Sequence, residues 1–99
     1  MKEKHTLIDN TAEKRYEFDV EGEKAVVEYT KDSGVIVLTH TYVPERFEGR
    51  GVGSELVRAV LDDVKKQGLQ VVPQCQFIAQ WIYRHPEWEE VVLKEVHAK

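Results

Sequence analysis

The sequence predicts a mixed α/β fold: an antiparallel β-meander, then one β-α-β crossover, then a C-terminal helix. Three observations carry this. Apolar residues alternate between residues 15 and 20, and after a tight-turn dipeptide an apolar run around Val26 and Val27 returns. A four-residue apolar repeat runs from 51 to 67. Between them Gly49, Gly51 and Gly53 stand at alternate positions. With 99 residues the chain forms a single domain over residues 1–99, large enough for one sheet and two or three helices.

Arg15 to Val20 places Tyr16, Phe18 and Val20 on one face and Arg15, Glu17 and Asp19 on the other, the pattern of a strand with one side in water. Glu21-Gly22 supplies a tight turn, and Lys24 to Thr30 returns as the second strand. Lys31-Asp32-Ser33-Gly34 is the next turn. Val35 to Tyr42 begins apolar on both faces and reads as a central strand covered on both sides. Pro44 and the charged residues after it break the pattern into a loop. From Gly51 to Gln67, Val52, Leu56, Val60 and Val64 recur every four residues, with Val57 and Leu61 beside them. Asp62 and Lys66 stand four apart in the favourable order on the solvent side. Gly68 is a natural stop. Leu69 to Val72 forms a short buried strand ended by Pro73. Gln74 to Arg84 reads as a second helix with Phe77, Ile78, Trp81 and Ile82 on its core face, halted by Pro86. Glu87 to Val92 adds a turn and a short terminal strand. His5 and His97 fall in frayed ends.

Composition narrows the function. Fourteen Lys plus Arg against eighteen Asp plus Glu give a net charge of −4, with no basic block, which disfavours nucleic acid as a partner. No apolar run approaches the roughly 20 residues of a membrane span. Met1-Lys2-Glu3-Lys4-His5 is charged where a secretory signal would be apolar. The single cysteine, Cys75, excludes an internal disulfide framework and fits a reducing cytoplasm. One Cys and scattered His give no metal site.

The glycine run ahead of the 51–67 helix reads as a phosphate cradle. A helix start leaves backbone N–H groups unpaired at the positive end of the dipole, and glycines let a bulky diphosphate come close. A P-loop needs a Lys followed by Ser or Thr after its last glycine, and Gly53-Ser54 lacks that Lys. A dinucleotide fingerprint needs G-x-G-x-x-G and an acidic residue ending the next strand, which here ends Val72-Pro73. The plain alternative is a tight strand-to-helix turn, although three glycines exceed what a turn requires.

The run Glu48-Gly49-Arg50-Gly51-Val52-Gly53-Ser54 resembles the acetyl-CoA-binding segment of the GNAT N-acetyltransferases, whose pattern is Gln/Arg-x-x-Gly-x-Gly/Ala between a central strand and a helix. Aligned on the helix start, Gly51 and Gly53 take the two small positions and Glu48 the Gln/Arg position; a shifted frame matches Arg46, Gly49 and Gly51. Residues 6 to 93 resemble a minimal GNAT-like subgroup, the YjdJ-type domain. The carriers are His40-Thr41 with Val43-Pro44, the glycine run, Val72-Pro73-Gln74-Cys75-Gln76-Phe77 and Arg84-His85-Pro86-Glu87. The larger family's N-terminal acceptor-binding helices have no counterpart here.

This resemblance implies acetyl-CoA as cosubstrate and no metal. It implies that Glu48, Gly49, Arg50, Gly51, Val52, Gly53 and Ser54 hold the diphosphate, with the amides of Arg50 to Ser54 as donors, and that the strand end at Tyr42 and Val43 pairs with the pantetheine amides. In the small subgroup a cysteine at the place of Cys75 is taken as catalytic, while an ordinary cysteine is a small core hydrophobe. His40, near the expected thioester, is a candidate base, against its reading as a hydrogen-bonded strand residue. Tyr83 is a weaker candidate to protonate the leaving thiolate. The expected function is an acetyl-CoA-dependent N-acetyltransferase acting on an unidentified amine, in the cytoplasm. The alternative is a non-catalytic acyl-CoA-binding or partner-docking module.

Overall fold

The computed structural model describes residues 5–94. His97 and residues 1 to 4 of the N-terminal segment lie outside the described residues. Five strands form one sheet in sequential order: β1 (Leu7–Asn10), β2 (Arg15–Val20), β3 (Glu23–Asp32), β4 (Val35–Tyr42) and β5 (Gln70–Pro73). The first four pair antiparallel, and β5 returns parallel to β4 after the helix α1 (Val52–Lys66). Helix α2 (Gln76–Arg84) and a 3₁₀ helix (Pro86–Val91) complete the described chain. The meander, the crossover and the C-terminal helix are thus as the sequence predicts. Among the described residues no helix is long and apolar enough to cross a membrane.

Several expectations are corrected. Strand β1 was missed because Leu7-Ile8-Asp9-Asn10 is too short and too polar to alternate clearly. His5 is not frayed: its ring nitrogen lies 3.2 Å from the Glu55 carboxylate, and its ring is 5.2 Å from that of Phe18. The terminal strand is a 3₁₀ helix followed by a single parallel bridge between Val71 and Val92. Strand β4 is not fully covered on both faces: Ile36 and Leu38 are buried, whereas Val35 and Val37 are only half-buried.

Cross-strand pairing sorts the sheet into two faces. Tyr16 opposes Val27, Phe18 opposes Ala25 and Tyr29 opposes Leu38, and all of these face one core. Val52, Leu56, Val57, Val60, Leu61 and Val64 of α1 pack against it, as the four-residue repeat requires, together with Ile78, Trp81 and Ile82 of α2. Asp62 and Lys66 pair at 3.3 Å on the solvent side. The α1 terminus closes with two reversed bonds, Gly68 N–H to Lys65 O at 3.0 Å and Leu69 N–H to Val64 O at 3.1 Å. On the opposite sheet face Lys24, Glu28, Thr30, His40 and Tyr42 are exposed. Glu17, expected in water, is only 4% exposed. It accepts from Arg15 Nε at 2.8 Å and Asn10 Nδ2 at 3.0 Å, and these bonds hold its carboxyl below the usual range.

Two tyrosines tie the layers together. Tyr16 donates to Asp63 of α1 at 2.8 Å, and Tyr29 donates to Asp9 of β1 at 2.6 Å. Burial, then these bonds, push both hydroxyls above the ordinary tyrosine value. A raised value in the folded state means the contribution is complete below the unfolded tyrosine value, about 10, and is lost as pH rises beyond it. Tyr16→Phe should cost about 1.5 kcal/mol at neutral pH, one hydrogen bond to a charged partner. It should also flatten the loss of stability above about pH 10. Denaturant melts of both proteins between pH 7 and 11 measure this; an unchanged alkaline slope would separate Tyr16 from that loss.

Candidate functional site

One irregularity in β4 sets up the site. Tyr29 faces Leu38 and Glu28 faces His40, so Thr39 is an extra residue in β4 at a bulge. Thr39 spends its hydroxyl on the Glu28 carbonyl at 3.2 Å. The extra residue inverts the alternation beyond it. Thr41, opposite Val27, joins the core face, whereas His40 and Tyr42 point to the exposed one. Strand β5 pairs with β4 only as far as Leu38, opposite Pro73. Proline has no N–H to extend the ladder. The chain turns away instead, and the Cys75 N–H bonds the Leu38 carbonyl at 3.0 Å as α2 begins. Beyond that point β4 has no strand partner on the β5 side among the described residues.

A cleft of about 480 Å³ opens beside this free edge, lined on the sheet side by Thr41 and Val43, on the loop side by Phe47, Glu48 and Gly49, and on the helix side by Gly51, Gly53, Ser54 and Phe77. That volume lies within the usual range of small-molecule sites. Phe47 is fully buried and anchors the loop, with the guanidinium groups of Arg46 and Arg50 at 4.6 and 5.2 Å from its ring centre. Arg50 also lies 3.6 Å from Glu21, and Arg46 lies 2.6 Å from Glu23. Both arginines therefore brace the loop against the β2–β3 turn, and neither lines the cleft.

The three glycines do different work. Gly49 and Gly51 have φ of +81° and +83°, which L side chains adopt only under strain, and a Cβ at either would meet nothing within 4 Å. They are there for backbone direction. Gly53 is there for closeness: a Cβ would sit 3.0 Å from Phe77 Cζ and 3.5 Å from Val43 Cγ2. Phe77, expected in the core, is 46% exposed and forms a cleft wall because Gly53 leaves room for its ring. The first α1 turn begins with Glu55 N–H to Gly51 O at 3.0 Å. The amides of residues 51 to 54 have no backbone acceptor among the described residues, whereas Arg50 N–H is taken by Phe47 O at 3.2 Å. The donor set offered to an anion is therefore Gly51 to Ser54, without the Arg50 amide expected from the sequence.

Of the remaining expected residues, Val43 lines the cleft, Val52 is buried beneath it and Tyr42 is 51% exposed on the other face. Cys75 is half-buried and is not among the lining residues. It reaches the cleft through Thr41, whose Oγ1 lies 3.3 Å from Cys75 Sγ. His40 is exposed on the opposite face, so Cys75 and His40 are not brought together. Tyr83 is 83% exposed and lies outside the lining. Sequence reasoning missed Thr41, Phe47 and Phe77 as cleft residues; the bulge, the loop anchor and the glycine gap that place them there have no clear sequence signal. Among the described residues no group of three or more His, Cys, Asp or Glu could hold a metal ion.

Residues 15–91 match the family described as GCN5-related N-acetyl-transferase. Protein NATD1 of Homo sapiens is 33% identical over 52 residues, which are 52% of this chain and 46% of that protein. Protein NATD1 of Danio rerio is 33% identical over 58 residues, 57% of this chain and 53% of that protein. The chain thus spans about half the length of these curated relatives. A GCN5-like protein from Staphylococcus aureus, solved by NMR, superimposes with a TM-score of 0.71 over 97% of this chain and 95% of that one. At 23% identity this likeness is one of fold.

The different roles of the glycines are separable. Gly51→Ala should cost about 1 kcal/mol through its left-handed backbone, and Gly51→Asn clearly less, because Asn tolerates that conformation. Equal losses in thermal melts would refute the backbone explanation. Gly53→Ala should leave the fold in place and displace the Phe77 ring, seen as altered ring resonances by NMR.

Proposed function

Because the chain belongs to the GCN5-related N-acetyltransferase family, we propose that it moves an acetyl group from acetyl-CoA to an amine. The observation that carries this reading is the meeting of two features in one cleft: the free amides of residues 51 to 54 and the unpaired edge of β4 beyond Leu38. A diphosphate suits the first, since a helix start presents donors and positive potential. An extended pantetheine arm, with its two amides, suits the second as an added strand would. Glu48 at the rim fits the YjdJ-type subgroup rather than the Gln/Arg of the larger family. The apolar walls of Val43, Phe47 and Phe77 suit the alkyl parts of the arm.

Two routes complete the transfer. In the direct route the amine nitrogen attacks the thioester carbonyl, the C–S bond breaks, and CoA leaves as a thiolate that takes up a proton. His40 or a bound water accepts the proton the amine loses. His40 stands on the face away from the cleft, so it can take this role only for an amine that reaches the thioester past the β4 edge. In the relay route the Cys75 thiolate attacks first and CoA departs. The amine nitrogen then attacks the acetyl carbonyl, the C–S bond to Cys75 breaks to restore the thiolate, and the proton the amine loses passes to the departing CoA thiolate or to water. The acceptor is an amine of unassigned identity, and the charged surface and reduced cysteine suit the cytoplasm.

A second reading, a non-catalytic acyl-CoA-binding or partner-docking module, is favoured by one observation. Cys75 and His40 stand on opposite faces of β4, and the face carrying His40 is exposed rather than built into an acceptor pocket.

Acetyl-CoA should raise the melting temperature, with about 2.7 kcal/mol of stabilisation at a hundredfold excess over Kd, whereas ATP and NAD should do little. An equal response to ATP or NAD would reject the pantetheine groove. Mass spectrometry then separates the routes. Under the relay, acetyl-CoA leaves one hydroxylamine-labile acetyl group that Cys75→Ala never acquires; under direct transfer, Cys75→Ala keeps turnover and His40→Ala loses it. Binding without turnover on any pooled amine selects the second reading.

A further inference from the structure

Trp81 lies on α2, is nearly fully buried, and donates its indole N–H to Ser54 Oγ in the first turn of α1 at 2.7 Å. An indole nitrogen only donates, so the Ser54 oxygen is the acceptor. A serine hydroxyl has one proton. With its oxygen already accepting from the indole side, that proton is turned away from Trp81, and it meets no acceptor among the described residues. Ser54 lines the cleft, next to the unpaired amides of Gly51, Val52 and Gly53.

The indole is itself held in place. The His85 ring stacks on it at 3.9 Å with planes 16° apart. His85 Nδ1 donates to the Trp81 carbonyl at 2.7 Å, since a carbonyl only accepts. The Arg58 guanidinium lies 5.3 Å from the indole centre. Ser54 itself is exposed, and the rigid indole on the neighbouring helix gives its oxygen a fixed partner.

We infer that Trp81 is a positioning residue for the anionic part of the ligand: its N–H fixes Ser54 so that the Ser54 hydroxyl joins the helix-start amides as a donor into the cleft. This rests on the reading of the cleft as a CoA site. Its consequence is coupling between α2 and α1. Removing the indole N–H weakens the ligand without touching any atom that contacts it.

Calorimetry with CoA on the wild type, Ser54→Ala, Trp81→Phe and the double variant tests this. Each single change should raise Kd roughly tenfold, one hydrogen bond to a charged group. The double variant should bind no more weakly than Ser54→Ala alone, because both remove the same donor. Independent, multiplying effects, or an unchanged Kd for Trp81→Phe, would overturn the inference while leaving the CoA reading intact. A wild type that does not bind CoA overturns both. Should Trp81→Phe fail to fold, the intact indole reports instead. The Trp81 side-chain N–H resonance should move on CoA addition in the wild type and stay still in Ser54→Ala. A Trp81 resonance indifferent to bound CoA overturns the inference.

Discussion

The early end of the parallel pairing between β4 and β5 is the constraint on which the site depends. The two strands are partners from Val35 opposite Gln70 to Leu38 opposite Pro73, and no further. Pro73 cannot donate to the ladder, and the Cys75 amide takes the Leu38 carbonyl as the chain departs into α2. Had β5 run two residues longer, the β4 edge beside Thr41 would be paired and the cleft closed. The bulge at Thr39 adds the second half: it brings Thr41 to the core side, where it meets Cys75, and sends His40 to the other.

The helices then complete what the strands leave open. Helix α1 is fixed by its apolar face and by the Tyr16–Asp63 bond, so its amino end stands at a set distance from the β4 edge. Gly49 and Gly51 let the chain turn into that helix, and Gly53 lets Phe77 of α2 close against it. Ser54 and Trp81 join the same two helices by a hydrogen bond. The cleft is thus a joint between α1 and α2 as well as a gap in the sheet, and its lining groups come from elements locked into one core.

The exposed sheet face explains how two functional readings survive in one fold. The core face is filled by both helices, while the other carries Glu28, His40 and Tyr42 in solvent. The cleft opens on the first face; the second is a nearly open surface.

The sequence by itself determined the meander, the crossover and the helix start. Alternation in Arg15–Val20, the four-residue repeat from Val52 to Val64 and the turn residues are local patterns, set by which side of each element must avoid water. The glycine run was legible as a turn into a helix start because its backbone demands lie in consecutive residues. Tertiary structure alone decided the rest. Strand β1 forms because β2 offers it an edge, and Glu17 is buried because Asn10 and Arg15 fold over it. Which face His40 takes depends on one extra residue, since a shift of one in a period of two inverts every side chain after it. That shift, the Gly53–Phe77 contact and the Trp81–Ser54 bond join residues far apart in the chain, and no local pattern encodes where two distant elements meet.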